Sequence, residues 1–454
     1  MKKVNDSTFN PRSIAVIGAT EDGYPWTLSL AKFPKLFAVN PNKGTIFGLK
    51  TCPSILDIPE EVDLAIINVP AVSVPGVVRE CVKKSVQTAV IFSSGFSEVG
   101  KLKEEKEIVE IAKKGNLHII GPNCMGIYYP KKKIAFRPDA SFEVGKVAFI
   151  SQSGGHAISF SLIGPTRGIC LSKAVSYGNA CDLDSTDFLE YLIDDPETEI
   201  IAAYIEGVED GRKLIKLLGE SKKPVIVLKG GQTDAGHRAT QSHTGSLAGS
   251  MAVWDAVFSQ TGTIGVHTFD ELVDTVLAFL YAPIPEGKRA GIVTISGGQS
   301  VLLTDGFARE GLEIPEFSDD VKKKLAGIIQ HAGTSVKNPV DMAGAWGHVE
   351  TVEDTIRTIE SDKNVDMLIL EVSMHYSSLY ALADQKYPQK LLEIIKKMKK
   401  EAKKPFFVVL SSTPYEQDRL RFDKELTNAG VPVYPSIQRA AKAIMNMVRY
   451  KKNL

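Results

Sequence analysis

Short runs of consecutive apolar residues alternate along this chain with longer segments whose apolar positions recur every three or four residues. The short runs predict strands at 13–18 (SIAVIG), 36–39 (LFAV), 63–69 (DLAIINV), 88–92 (TAVIF) and 117–121 (LHIIG). Between them, stretches such as PGVVRECVKKS and KEEKEIVEIAKK place apolar residues at helical spacing. Strands that are apolar throughout and separated by helices are buried on both faces, which implies a parallel sheet with helices on either side. The pattern repeats twice more. A second block has strands at 147–151, 170–176, 199–207 and 224–230, and a third at 291–296, 367–372 and 405–411. The polar, turn-rich stretch 128–145 and the Pro/Gly-bearing stretch 283–290 read as boundaries. The expected class is therefore α/β, with three doubly wound parallel-sheet domains at 1–130, 145–283 and 290–454.

Composition narrows the class. A chain of 454 residues is too long for one ordinary core. Lysine plus arginine and aspartate plus glutamate balance at 54 each, which gives no basic surplus for nucleic acid. No apolar run approaches the ~20 residues that span a bilayer, and the N-terminus lacks a signal-type apolar stretch. Five scattered cysteines without a CxxC pair read as reduced thiols of a cytoplasmic protein, not as a metal site.

In the first block the strand ends carry the candidate chemistry. Gly18, Ala19 and Thr20 occupy the first βα turn, where such folds bind phosphate. GxGxxG is missing, and the second strand ends in Val39-Asn40-Pro41 where an NAD enzyme has an acidic residue, so a dehydrogenase is disfavoured. Small residues and prolines at Val39–Pro41, at Val69 and Pro70, at Ser93, Ser94 and Gly95, and around Asn123 suit a groove for an extended, phosphate-bearing ligand. Turn formation is the competing explanation for each of them.

In the second block, Ser153-Gly154-Gly155 follows a strand and opens a helix. First-turn N–H groups lack intrahelical partners, and the helix dipole is positive there, so this is a ready anion site. His243 lies in QSHTGSLAGS, where Thr244, Gly245 and Ser246 are expected to cap a helix continuing through Met251, Trp254 and Val257. Two helix starts facing each other would stabilise a phosphoryl group on His243. A nucleophilic imidazole needs its second nitrogen held by a partner, and Glu206, at the end of an apolar strand, is the best candidate carboxylate. His156 adjoins the Ser-Gly-Gly turn; contact with ligand and a simple helix-start role both remain open for it.

The motifs SHTGSLAGS, YIEGVEDG, FISQSGG, GPNCMG and VNPNKG…IFGLK resemble the α subunits of ADP-forming acyl-CoA synthetases, relatives of succinyl-CoA synthetase. The resemblance spans nearly the whole chain. It implies a Rossmann-like CoA-binding domain followed by two flavodoxin-like domains. It implies that acyl-CoA and phosphate give acyl phosphate and CoA, that the acyl phosphate phosphorylates His243, and that ADP with Mg²⁺ then accepts the phosphoryl group. Glu206 would orient His243. Ser153, Gly154, Gly155, Gly245 and Ser246 would hold phosphate, and the strand-end residues from Gly18 to Asn123 would hold CoA. A separate ATP-grasp β subunit, in an α₂β₂ assembly, would bind the nucleotide. Departures from the pattern are the short loop after Gly18, His156 in place of a small residue, and ISGGQS at 295–300. The rival reading is a non-catalytic CoA-binding protein that keeps the fold.

Overall fold

The computed structural model describes residue 4 and residues 6–238 and 250–452. These divide into two compact units, the first formed by 1–165 with 169–267 and the second by 166–168 with 268–454.

Unit 1 contains two sheets. The first has β1 (Ile14–Ile17), β2 (Leu36–Val39), β3 (Thr45–Ile46), β4 (Leu49–Cys52), β5 (Leu64–Ile67), β6 (Thr88–Ile91) and β7 (His118–Ile120) in the order β3-β4-β2-β1-β5-β6-β7. All its pairings are parallel except the β3–β4 hairpin. β1, β5 and β6 are buried at every position, as their unbroken apolar sequences require. The helix Val74–Lys83 covers them with Val74, Val78 and Cys81, spaced at four and three residues along one face.

The second sheet has β8 (Gly126–Tyr128), β9 (Val147–Ser151), β10 (Leu171–Ser176), β11 (Ile200–Ile205), β12 (Val225–Lys229) and β13 (Ile264–Val266) in the order β13-β12-β11-β9-β10-β8. β8 runs antiparallel at its edge. The stretch 128–145, read from sequence as a polar boundary, therefore begins in this sheet. It also buries Tyr129, Ile134, Ala135 and Phe136.

Unit 2 holds β14 (Ala290–Thr294), β15 (Val340–Asp341), β16 (Met367–Glu371), β17 (Phe406–Val409) and β18 (Val433–Tyr434), all parallel, in the order β15-β14-β16-β17-β18. Strand order reverses between β14 and β16, where open sheets of this kind form a crevice. Glu371 lies there, 3% exposed, accepting a 2.8 Å hydrogen bond from the Thr294 hydroxyl. Burial pushes its carboxyl up from 4.5 to about 7. Because the folded value lies above the unfolded one, the stabilisation is complete below about pH 4 and is lost as the pH rises through 7, by about 3 kcal/mol. Glu371→Gln is expected to abolish this slope and to stabilise unit 2 at pH 8 by a similar amount. Hydrogen exchange of β14 between pH 5 and 8 measures it, and a slope retained by the variant would refute the assignment.

Candidate functional site

The carboxyl ends of the first sheet's strands are locked to one another by main-chain geometry. Gly18 adopts φ +79°, and a Cβ there would lie 2.1 Å from the Asn68 carbonyl oxygen. Its N–H donates to the Val39 carbonyl (3.0 Å), and the Asn40 side-chain amide donates to the Ala19 carbonyl (2.8 Å). The Ser93 hydroxyl donates to the Val69 carbonyl, and the Asn123 N–H donates to the Ser93 carbonyl (3.0 Å). Gly18→Ala combines an unfavourable φ with a clash against rigid backbone, so it is expected to cost about 3 kcal/mol or more. The drop in the urea midpoint reads this out; a neutral variant would mean that the turn is not tight.

A cleft of about 680 Å³ opens over these ends. Thr20, Val69, Pro70, Ser93, Ser94 and Asn123 line it, and so do Ser153, Gly154 and Gly155 from the second sheet's first strand-to-helix turn. The structure thus joins the two expected subsites, the groove and the helix N-terminus, in one cavity within unit 1. Gly18, Ala19, Val39, Asn40, Pro41 and Gly95 do not line it. The first four shape the turn beneath it, Pro41 is exposed, and Gly95 takes φ +107° with its N–H donating to Glu98. Tyr24, Phe92, Met125 and Ile158 supply an apolar wall that the sequence reading missed.

The helix Gly154–Thr166 starts directly on the cleft. A Cβ on Gly154 would meet only side-chain atoms, the nearest being Met125 Cγ at 3.2 Å, and one on Gly155 would meet only Ser153 Oγ at 3.7 Å. Packing within the protein therefore does not demand both glycines. Their absent side chains leave the main chain at Gly154 and Gly155 open to an approaching anion, while the next N–H, that of His156, donates to Ser153 Oγ at 3.3 Å.

Glu206 follows β11, next to β9 in the sheet, and is 4% exposed. The Gln152 amide oxygen accepts from the Glu206 N–H (2.9 Å) and the Gly207 N–H (3.2 Å), which ties this strand end to the residue preceding Ser153. Glu206 Oε1 accepts from the Tyr204 hydroxyl at 3.1 Å. Glu206 Oε2 is buried and has no hydrogen-bond partner among the described residues. Such an oxygen is costly unless a donor reaches it. His156 packs its ring edge-on against Tyr204, with centroids 4.4 Å apart, and burial lowers its pKa although Glu206 opposes the shift.

His243, Gly245 and Ser246 lie outside the described residues, as does Thr244. The helix carrying Trp254 runs Met251–Thr261 with Ser250 at its N-cap position. The expected cap at Thr244–Ser246 is thus corrected: Ser250 stands at the start of that helix, more than one helical turn further along.

Comparison with known proteins bears on this arrangement. Residues 12–130 match the CoA binding domain family, and residues 144–279 match the succinyl-CoA ligase like flavodoxin domain. The chain is 37% identical to acetate–CoA ligase [ADP-forming] II subunit alpha of Pyrococcus furiosus, over 99% of this chain and 98% of that protein. It is 34% identical to acetate–CoA ligase [ADP-forming] II of Archaeoglobus fulgidus, over 98% of this chain but 66% of that protein. Among solved structures it resembles the dinucleotide forming acetyl-coenzyme A synthetase 1 of Ca. Korarchaeum cryptofilum in complex with phosphate and ADP. That match has a TM-score of 0.86 and 30% identity, and it covers 99% of this chain and 97% of that one.

Proposed function

Because the chain belongs to the α-subunit family of ADP-forming acetate–CoA ligases, we propose that it carries a phosphoryl group on His243, between a CoA cleft and a partner subunit. The observation that carries this reading is the buried Glu206 carboxylate, with one oxygen engaged and the other lacking a described partner, beside a helix N-terminus that opens on the cleft.

CoA lies along the strand ends, with its thioester near Asn123 and the Ser153–Gly155 turn. Phosphate held at that turn attacks the thioester carbonyl through one oxygen. The carbon–sulfur bond breaks, and the CoA thiolate leaves to take a proton. An unprotonated His243 nitrogen then attacks the phosphorus of the acyl phosphate, and the carboxylate leaves. Glu206 accepts the proton-bearing nitrogen's N–H, fixes the tautomer and balances the charge that develops on the ring. Gly245 and Ser246 join Ser153–Gly155 in holding the phosphoryl oxygens. Finally a β-phosphate oxygen of ADP attacks phosphorus, the P–N bond breaks, and ATP forms.

The Pyrococcus furiosus relative is an α subunit, and a third of the Archaeoglobus fulgidus relative lies beyond this chain's match; both support a partner subunit, which on the family resemblance would be of ATP-grasp type, bring ADP with Mg²⁺ and form an α₂β₂ assembly. The described residues contain no cluster of three or more His, Cys, Asp or Glu able to hold a metal ion. No helix among the described residues is long and apolar enough to cross a membrane. Five free cysteines suit the reducing cytoplasm.

The test is chemical. Full-length chain incubated with acyl-CoA and labelled phosphate is expected to acquire an acid-labile, base-stable label. Label that persists in His243→Ala would refute the assignment, and absence of label in the wild type would favour a CoA-binding protein without catalysis.

A further inference from the structure

We infer that Tyr204 is a positioning residue for the phosphoryl-carrying imidazole, because its hydroxyl occupies Oε1 of Glu206 and leaves Oε2 as the one acceptor for the ring N–H. This rests on the reading of His243 and Glu206 given above.

A free carboxylate offers two equivalent oxygens and about four lone-pair directions. An imidazole held by such a group can rock between acceptors and lose its aim. Here the two oxygens are made unequal. The Tyr204 hydroxyl donates to Oε1 at 3.1 Å, while Oε2 is buried without a partner among the described residues. Burial and the neighbouring carboxylate raise the Tyr204 phenol well above its ordinary range, so it stays a donor at working pH. The ring is itself fixed by the edge-on contact with His156. Backbone restraint adds to this, since Gln152 pins the Glu206 and Gly207 N–H groups.

Gly230, on the neighbouring strand end, supplies the space. A Cβ there would stand 2.6 Å from the Tyr204 hydroxyl oxygen and 3.0 Å from Glu206 Cγ. A side chain at position 230 would therefore displace one partner of this hydrogen bond. Among the described residues, His156, Tyr177 and Lys229 also feel the Glu206 charge; burial disfavours the charged form of each.

The experiment compares Tyr204→Phe and Gly230→Ala with wild type in the full-length chain together with its partner subunit. Phosphoenzyme formation is followed in single turnovers over a range of acetyl phosphate concentrations. Both variants are expected to slow the maximal labelling rate about tenfold or more, with the half-saturating acetyl phosphate concentration unchanged. Tyr204→Phe keeps the ring against His156, so a merely structural role would leave the maximal rate of the folded variant in place. A maximal rate equal to wild type in a folded Tyr204→Phe variant overturns the inference. If labelling still depends on His243 in that case, only the role of Tyr204 falls. If His243→Ala retains the label, the underlying reading falls with it.

Discussion

Replacing His243 by Ala should stop ATP formation while the thioester half of the reaction continues. In the proposed sequence the imidazole enters only after acyl phosphate exists. In that sequence phosphate attack on the thioester draws on Asn123 and the Ser153–Gly155 turn and does not use the imidazole. Loss of a nucleophile with no substitute lowers the overall rate by about 10⁴-fold or more. His156 is a poor substitute, because its ring is packed against Tyr204 in the first turn of the helix Gly154–Thr166. The variant should therefore accumulate acyl phosphate, measured by hydroxamate trapping, and release CoA, measured by thiol titration, with no acid-labile label on the protein. Equal loss of both half-reactions in a folded variant would place His243 in the thioester step and overturn the sequence of events. Retained ATP synthesis would remove it from the mechanism altogether.

The parts of this picture legible in the sequence are those governed by local physics. β1, β5, β6, β9 and β12 announce themselves because a strand buried on both faces must be apolar at every position. The Ser153-Gly154-Gly155 turn and the strand-end carboxylate Glu206 are equally local signals. What stayed hidden depends on partners distant in sequence. β3, β15 and β18 have two residues each, too few for any period to show. β8 has three, and its place at the edge of the second sheet is set by pairing with β10, across more than 40 intervening residues. Gln152 and Tyr204 matter because β11 lies beside β9, and no window of sequence around either residue encodes that adjacency. The helix start at Met251 is not legible for a different reason: the segment offers two clusters of small capping residues, and propensity alone does not choose between Ser246 and Ser250.

Glu206→Gln should separate function from stability more sharply than any other substitution at this site. The amide has nearly the shape of the carboxylate, so packing beside Gly230 and Tyr204 is kept. Keeping the hydrogen bond that the Tyr204 hydroxyl now donates puts the amide oxygen at the Oε1 position. The NH₂ group then takes the Oε2 position, where it presents donors. An imidazole facing a donor must offer its unprotonated nitrogen to it, and the N–H then points at the phosphoryl group. The nucleophilic lone pair is turned away from phosphorus. In a serine-protease triad the matching carboxylate-to-amide change lowers kcat by about 10⁴ through the same tautomer error. A phosphohistidine site that also draws on the N-terminus of the Gly154–Thr166 helix is expected to lose about 10³-fold in the rate of labelling. Stability should move the other way or not at all, since a neutral amide in a residue 4% exposed is cheaper to desolvate than an ionised carboxylate. The prediction is thus a folded protein with an unchanged or raised melting temperature, normal CoA release from acyl-CoA and phosphate, and almost no phosphoenzyme. Labelling at the wild-type rate would show that the imidazole takes its orientation from another group. A large fall in melting temperature would show instead that Glu206 serves the fold and not the reaction.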